Sequence, residues 1–282
     1  MVIQNLKSVV EKSRNLNNKD FVRNLLKEEL QVYVLNFIYT SSYRNLIFTG
    51  GTCLRRFYGL PRVSEDLDFD IEDGYSIDGK VFDFVRLQKD LEAYFIKGLS
   101  YRDLDLRFKN KTVFLRFPVL KEIGFSGASD TNILFLRLDF AFNTFSNFGV
   151  EKQLFSAYDF SFLAKTYDFP TLVANKIAAF LTREYKKGKG QMESFKGRDA
   201  FDLVWMLGEL KRTGQSANMK RIYDLTGIKN KDELIKRIIN KGGKITEKDL
   251  LYDLRSFFAN LDFVSDFCRN FKSLLQANVR FL

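Results

Sequence analysis

Two short blocks carry the residues best suited to chemistry: Ile47-Phe48-Thr49-Gly50-Gly51-Thr52 and, fourteen residues further on, Asp66-Leu67-Asp68. In an extended segment Asp66, Asp68 and Asp70 project to one face, while Leu67, Phe69 and Ile71 project to the other. The apolar set can anchor a strand and leave carboxylates side by side at an accessible edge. Neighbouring carboxylates repel unless a cation joins them, and oxygen-only ligands select Mg²⁺ or Mn²⁺. A Gly-Gly-Thr turn ahead of a helix lets backbone N–H groups approach phosphates at the positive end of the helix. Metal-holding carboxylates opposite a phosphate cradle are the apparatus of metal-assisted phosphoryl or nucleotidyl transfer. The competing reading is an acidic, solvated strand edge beside an unrelated glycine turn.

A third acid belongs to the same argument. Asp139, in Arg137-Leu138-Asp139-Phe140, lies within the most apolar strand candidate of the chain. A buried acid there needs a metal or a basic partner. The preferred expectation is a third carboxylate completing a metal site with Asp66 and Asp68, and the alternative is an ion pair with Arg137. Asp103-Leu104-Asp105-Leu106 imitates the spacing without a glycine turn before it and reads as a solvated strand face.

Composition narrows the chemistry. The 282 residues include 45 Lys and Arg, 35 Asp and Glu, and no histidine. Nucleophile–histidine pairs, a histidine general base and histidine-ligated zinc are therefore excluded. Cys53 and Cys268 stand far apart and cannot form a Cys-x-x-Cys metal site. Neither a secretory signal nor a membrane span is legible, so the expected location is cytoplasmic, with no membrane partner. Residues 1–170 carry a net charge of +1 and residues 171–282 a net charge of +9. That asymmetry points to a polyanionic partner, or more plainly to a well-solvated helical surface.

The elements that must position these residues can be read from periodicity. Leu25, Leu26, Leu30, Val34, Phe37 and Ile38 recur at helical steps after the capping signal Asn18-Lys19-Asp20. A short strand at 45–48 meets the glycine turn, and an amphipathic turn or two follow through Arg56. A helix is expected over 78–99. Residues 101–109 and 112–117 form a hairpin around Asn110-Lys111, residues 133–142 form a strand, and 162–166 is strand-like. Pro170 opens a helix running to about Arg183. Only helices are expected beyond it, at 198–210, 246–262 and 264–277. The basic loop Lys186-Lys187-Gly188-Lys189-Gly190 among them could grip RNA phosphates. The organisation is α+β: a mixed α/β part, 1–168, and a helical, basic part, 169–282.

At this point the chain resembles a known family. Gly50-Gly51-Thr52-x-Leu54 and Arg62-x-Ser64-Glu65-Asp66-Leu67-Asp68-Phe69 are similar to motifs of the AbiEii nucleotidyltransferase toxins of abortive-infection and toxin–antitoxin systems, within the DNA polymerase β-like superfamily. The stretch from Lys176 to Arg183 and Arg198-Asp199-Ala200-Phe201-Asp202-Leu203 resemble that family's lysine helix and Arg-Asp helix. The resemblance implies a polymerase β-like core, a mixed sheet flanked by helices, followed by a helical C-terminal region. It also implies transfer of a nucleoside monophosphate from an NTP to an RNA acceptor, the 3′ end of tRNA, and a cognate antitoxin. Asp66 and Asp68 would hold Mg²⁺, and Gly50, Gly51, Thr52 and Ser64 would face the triphosphate. Lys176 would neutralise phosphate charge, and Asp202, or else Asp199, would be the acid of the last motif. The superfamily turn is often Gly-Ser, so Gly-Gly-Thr is a departure. Two other readings stay open: a nucleotidyltransferase acting on a small molecule such as an antibiotic, and a non-catalytic RNA- or partner-binding module with a degenerate nucleotide pocket.

Overall fold

A computed structural model describes the chain except for Asp78, Ala128, Glu184, 188–190 and 194–195, with backbone alone for Lys80, 185–187 and 191–193. It divides into two compact units: Met1–Thr144 with Val150–Thr166, and Phe145–Gly149 with Tyr167–Leu282.

The first unit begins with helices α1 (Val2–Lys12) and α2 (Lys19–Thr40). The Asn18 side chain caps α2 by accepting from the Phe21 N–H, as its sequence signal suggests. Every residue of α2 from Glu28 to Tyr39 is buried, so its apolar side chains do not keep to one stripe. Strand β1 (Ile47–Thr49) runs directly into helix α3 (Gly50–Phe57), and β2 (Leu67–Glu72) returns antiparallel beside β1. The small hairpin β3 (Ser76–Ile77) and β4 (Lys80–Val81) precedes helix α4 (Phe84–Ala93). Strands β5 (Asp105–Lys109), β6 (Thr112–Phe117), β7 (Leu134–Asn143), β8 (Val150–Ala157) and β9 (Phe160–Tyr167) complete a seven-stranded sheet of order β5-β6-β7-β2-β1-β9-β8. The sheet is mixed: β2 runs parallel to β7 and β1 parallel to β9, while β5, β6 and β7 are antiparallel neighbours.

One face of this sheet is apolar. Leu134, Leu136, Leu138 and Phe140 of β7 are buried there beside Leu67, Phe69 and Ile71 of β2. Helix α4 covers part of it, with Phe84 stacked on Phe108 and edge-on to Phe140. Helix α2 covers another part through Tyr39, whose ring stacks on Phe162 and whose hydroxyl donates to the carbonyls of Leu46 and Lys165. Each fully buried leucine or phenylalanine of this layer contributes about 1.5–3 kcal/mol of transfer free energy. The opposite face carries the acids.

The second unit contains helices α5 (Phe169–Thr182), α6 (Gly197–Thr213), α7 (Met219–Thr226), α8 (Lys231–Gly243), α9 (Glu247–Leu254) and α10 (Leu261–Asn278). Asp168 caps α5 by accepting from the Thr171 N–H, and Pro170 sits in the first turn, where its missing N–H costs nothing. The expected architecture, a mixed sheet flanked by helices and then a helical region, is the one observed.

Several local expectations are corrected. The helix expected from residue 78 starts at Phe84: Gly79 takes a positive φ of 74° in the small hairpin, and Asp83 caps the helix by accepting from the Val85 N–H. Residues 149–167 form two full strands around a turn at Tyr158, where one strand segment was expected. Where a basic loop was expected between two helices, β10 (Tyr185–Lys187) pairs antiparallel with β11 (Gln191–Glu193). The loop residues 188–190 lie outside the described residues, as do the side chains of Lys186 and Lys187.

Candidate active site

Strand register assembles the acidic site of the first unit. Thr49 pairs with Asp68, Asp68 with Asp139, and Asp139 with Thr112, so four adjacent strands place these residues in one row. Asp139 is 71 positions beyond Asp68 in the chain, yet the parallel β2–β7 pairing makes them direct neighbours. Asp66 stands two residues before Asp68, just ahead of β2, and is held by the Arg137 guanidinium, with Nη2 donating to Asp66 Oδ2 at 2.7 Å. The same guanidinium approaches Asp139, with Nε 2.9 Å from Oδ2, although that nitrogen lacks the angle for a hydrogen bond. Thr112 Oγ1 donates to the other Asp139 oxygen at 2.6 Å. Burial opposes the charge on Arg137, but Asp66, Asp139 and Asp68 outweigh it and raise the guanidinium pKa above its ordinary value.

Helix α3 brings its N-terminus to this row. Gly50 adopts a φ of 77°, a left-handed conformation that side-chain-bearing residues avoid. A Cβ at Gly50 would lie 2.1 Å from Asp68 Oδ2, so glycine is what lets the carboxylate rest against the start of the helix. Thr49, the N-cap residue, makes no side-chain capping hydrogen bond. A Cβ at Gly51 would in turn meet the side chains of Arg62 and Ser64 at 2.6 and 3.1 Å. Thr52 is fully buried and its hydroxyl donates to the Asp66 carbonyl. In this position the hydroxyl pins the start of β2 to α3.

The 62–66 segment is fastened from beneath by polar residues of α2. The Ser64 N–H donates to Glu28 Oε1 at 3.1 Å, and Gln31 Nε2 donates to the Ser64 carbonyl at 2.9 Å. Lys27 pairs with Glu65 at 3.0 Å. Glu28 and Gln31 did not emerge from the sequence as site residues. Their signal was present: two polar side chains within an apolar helical stretch must find buried partners.

The second unit holds a separate charged cluster. Lys176 of α5 places Nζ 3.1 Å from Asp199 Oδ1 and 2.8 Å from Asp202 Oδ2, both on α6. Arg183 pairs with the second Asp199 oxygen. The side chain of Asp202 is 0% exposed, that of Asp199 6% and that of Lys176 12%. Burial would raise the Asp199 carboxyl, but Lys176 and Arg183 outweigh it and hold it below the ordinary carboxylate range. The two acids stand three positions apart on one helix face, so both motif aspartates reach the same lysine. Asp202 is fully buried on α6, and the Arg198 guanidinium lies over the Phe257 ring at 4.6 Å.

These motifs have a family context. Residues 40–280 match the family of the nucleotidyl transferase AbiEii toxin of type IV toxin–antitoxin systems. The chain belongs to the AbiEii family. It is accordingly a nucleotidyltransferase toxin, with an NTP as substrate and a cognate antitoxin implied by the system type. Among solved structures, JHP933 from Helicobacter pylori is similar at 14% identity over 91% of this chain and 93% of that one, with a TM-score of 0.45. A protein from H. pylori provisionally named a nucleotidyltransferase is similar at 15% identity over 91% of this chain and 96% of that one, with a TM-score of 0.46. Among curated proteins none matches the chain. No helix among the described residues is long and apolar enough to cross a membrane.

The divalent ion implied by the AbiEii chemistry can be tested against the donors. Asp66 and Asp68 offer hard carboxylate oxygens on one strand face, a chemistry that suits Mg²⁺ or Mn²⁺. Asp139, the expected third ligand, has its oxygens engaged by Thr112 and Arg137, and Asp66 likewise has one oxygen held by Arg137. No group of three metal-ligating side chains gathers among the described residues.

Gly50 offers a sharp test of this geometry. Gly50→Ala is expected to cost about 1–2 kcal/mol for the left-handed backbone, and its Cβ must also push the Asp68 carboxylate aside. Gly214→Ala shares a positive φ of 70° but has open space around it. Thermal melts should therefore fall in both variants, whereas nucleotide transfer should collapse only in Gly50→Ala.

Proposed function

We propose that this AbiEii toxin transfers a nucleoside monophosphate from an NTP to an RNA acceptor, with the 3′ end of tRNA as the acceptor, and so blocks translation. The observation that carries the proposal is the Asp68 carboxylate resting against Gly50 at the start of α3. In this reading the acid that would hold a metal stands beside a helix terminus that would receive phosphate.

In this reading the backbone N–H groups of Gly50 and Gly51 receive the triphosphate, helped by the positive end of α3. Ser64, fastened by Glu28 and Gln31, lines the same turn. Asp66 and Asp68 would hold Mg²⁺, which would supply Lewis-acid stabilisation of the phosphates and make the acceptor hydroxyl more acidic. Arg137 fixes the Asp66 carboxylate and lends positive charge to the site. The acceptor oxygen forms a new bond to the α-phosphorus, the bond to pyrophosphate breaks, and Asp139 accepts the hydroxyl proton. Lys176, held by Asp199 and Asp202 within the second unit, is the residue whose likeness to the family's lysine helix assigns it the charge of the pyrophosphate. The net charge of +9 over residues 171–282 favours a polyanionic acceptor over a small molecule.

The test incubates the protein with total RNA, Mg²⁺ and each α-³²P-labelled NTP in turn. A labelled band of tRNA size with at least one NTP is the expected result. Label on a small molecule instead would replace the acceptor, and label nowhere would favour a binding module that no longer catalyses transfer.

A further inference from the structure

The row of acids occupies only one end of the sheet's open face. Two further rows lie beside it on β5, β6 and β7. Arg107 pairs with Phe114, which pairs with Arg137; Asp105 pairs with Arg116, which pairs with Phe135. Successive rows on one face are about 7 Å apart, because side chains on a strand repeat every second residue. Phe135 is 49% exposed, although it lies inside a strand whose alternate residues are fully buried. The Arg116 guanidinium lies over the Phe135 ring at 5.7 Å. Arg116 and Arg107 share one carboxylate, Asp105, at 2.6 and 3.2 Å, so this part of the face stays net positive.

Aromatic rings spaced between arginines on an open sheet are the chemistry that stacks bases and tracks phosphates. We propose that this face is the platform for a single-stranded RNA acceptor, with bases stacked on Phe114 and Phe135 and phosphates held by Arg107 and Arg116. The inference rests on the RNA-acceptor reading above and specifies how the strand lies. The polarity follows from charge: the acids repel phosphates, so the terminal hydroxyl reaches the acidic row and the preceding nucleotides cross the basic rows. A duplex has no free base faces to offer, and a small acceptor has no use for a second and third row.

The experiment measures fluorescence anisotropy of a labelled single-stranded oligoribonucleotide, and of the same strand in a blunt duplex, with the full chain over a range of salt. Stacking on one aromatic ring is worth roughly 5- to 150-fold in affinity. Phe135→Ala should therefore weaken single-strand binding about tenfold, and Phe135→Tyr should restore it. Arg107→Ala should reduce the salt slope by about one. The thermal shift produced by NTP with Mg²⁺ should be unchanged in all three, since neither residue belongs to the acidic row. Equal single-strand affinity in Phe135→Ala and the wild type would overturn the platform, as would equal affinity for duplex, or no binding by the wild type. If the wild type labels RNA and Phe135→Ala binds it normally, the platform falls and nucleotidyl transfer stands. If single-strand binding follows Phe135 but no label is transferred, the platform stands and the catalytic reading falls.

Discussion

Asp68→Ala is expected to lower nucleotide transfer by about three orders of magnitude or more while leaving the fold in place. The carboxylate is one of two that fit the metal, and it is the one pressed against the helix that would receive the triphosphate. Losing it removes charge stabilisation that operates in the transition state, so the loss should appear in kcat. The strand itself should survive, because Leu67, Phe69 and Ile71 anchor it from the other face. Asp70→Ala supplies the comparison. It lies one step further along the same face, where its register partners are Ile47 and Ala141, not a second acid. Its transfer rate should stay within a few-fold of wild type. Single-turnover assays beside thermal melts distinguish the outcomes, and equal losses in both variants would remove the special role assigned to Asp68.

Asp202→Ala is expected to act first on stability. The substitution removes one of the two carboxylates that hold Lys176 in a buried setting, and breaking such a network by removing one member costs about 3–5 kcal/mol. A melting temperature lower by about 10 °C or more is the corresponding shift. Replacing both partners, Lys176→Met with Asp202→Leu, should recover much of that stability, because an apolar pair of similar volume carries no desolvation penalty. Transfer should not recover in the double variant if the Lys176 ammonium balances the pyrophosphate. Recovery of both would reduce the cluster to a structural device.

The same cluster sets an acid limit. Asp199 has a lowered carboxyl pKa in the folded chain, for which burial is outweighed by Lys176 and Arg183. Its contribution is therefore fully present above the unfolded carboxylate pKa of about 3.9 and is lost as pH falls through the folded value. Asp199→Asn should lower stability at neutral pH and flatten the acid side of the stability profile. A wild-type profile already flat below pH 4 would contradict that assignment.

The main sheet residues and the glycine turn were legible because their patterns are local. Strict alternation from Asp66 to Ile71 sorts acids from apolar residues whatever lies nearby, and a strand–Gly-Gly–helix junction needs only its own backbone. The caps at Asn18 and Asp168 are local in the same way. The short elements were harder to read. The hairpin at 76–81 is settled by a turn at Gly79, and the pairing of 185–187 with 191–193 leaves no periodic signal in strands of three residues.

What the chain alone determined is which residues could carry chemistry: an aspartate pair, a glycine turn and a lysine helix, with no histidine available. Tertiary structure decided which of them meet. Asp139 became the neighbour of Asp68 through a parallel pairing whose register is set by two apolar faces packing together, and Arg137 then claimed oxygens that spacing alone would have left for a metal. Thr52 turned inward to the Asp66 carbonyl because a buried hydroxyl must find an acceptor. Asp199 and Asp202 both turned to Lys176 because buried acids need a cation, and helix packing, not sequence spacing, brought that cation within 3.1 Å of each.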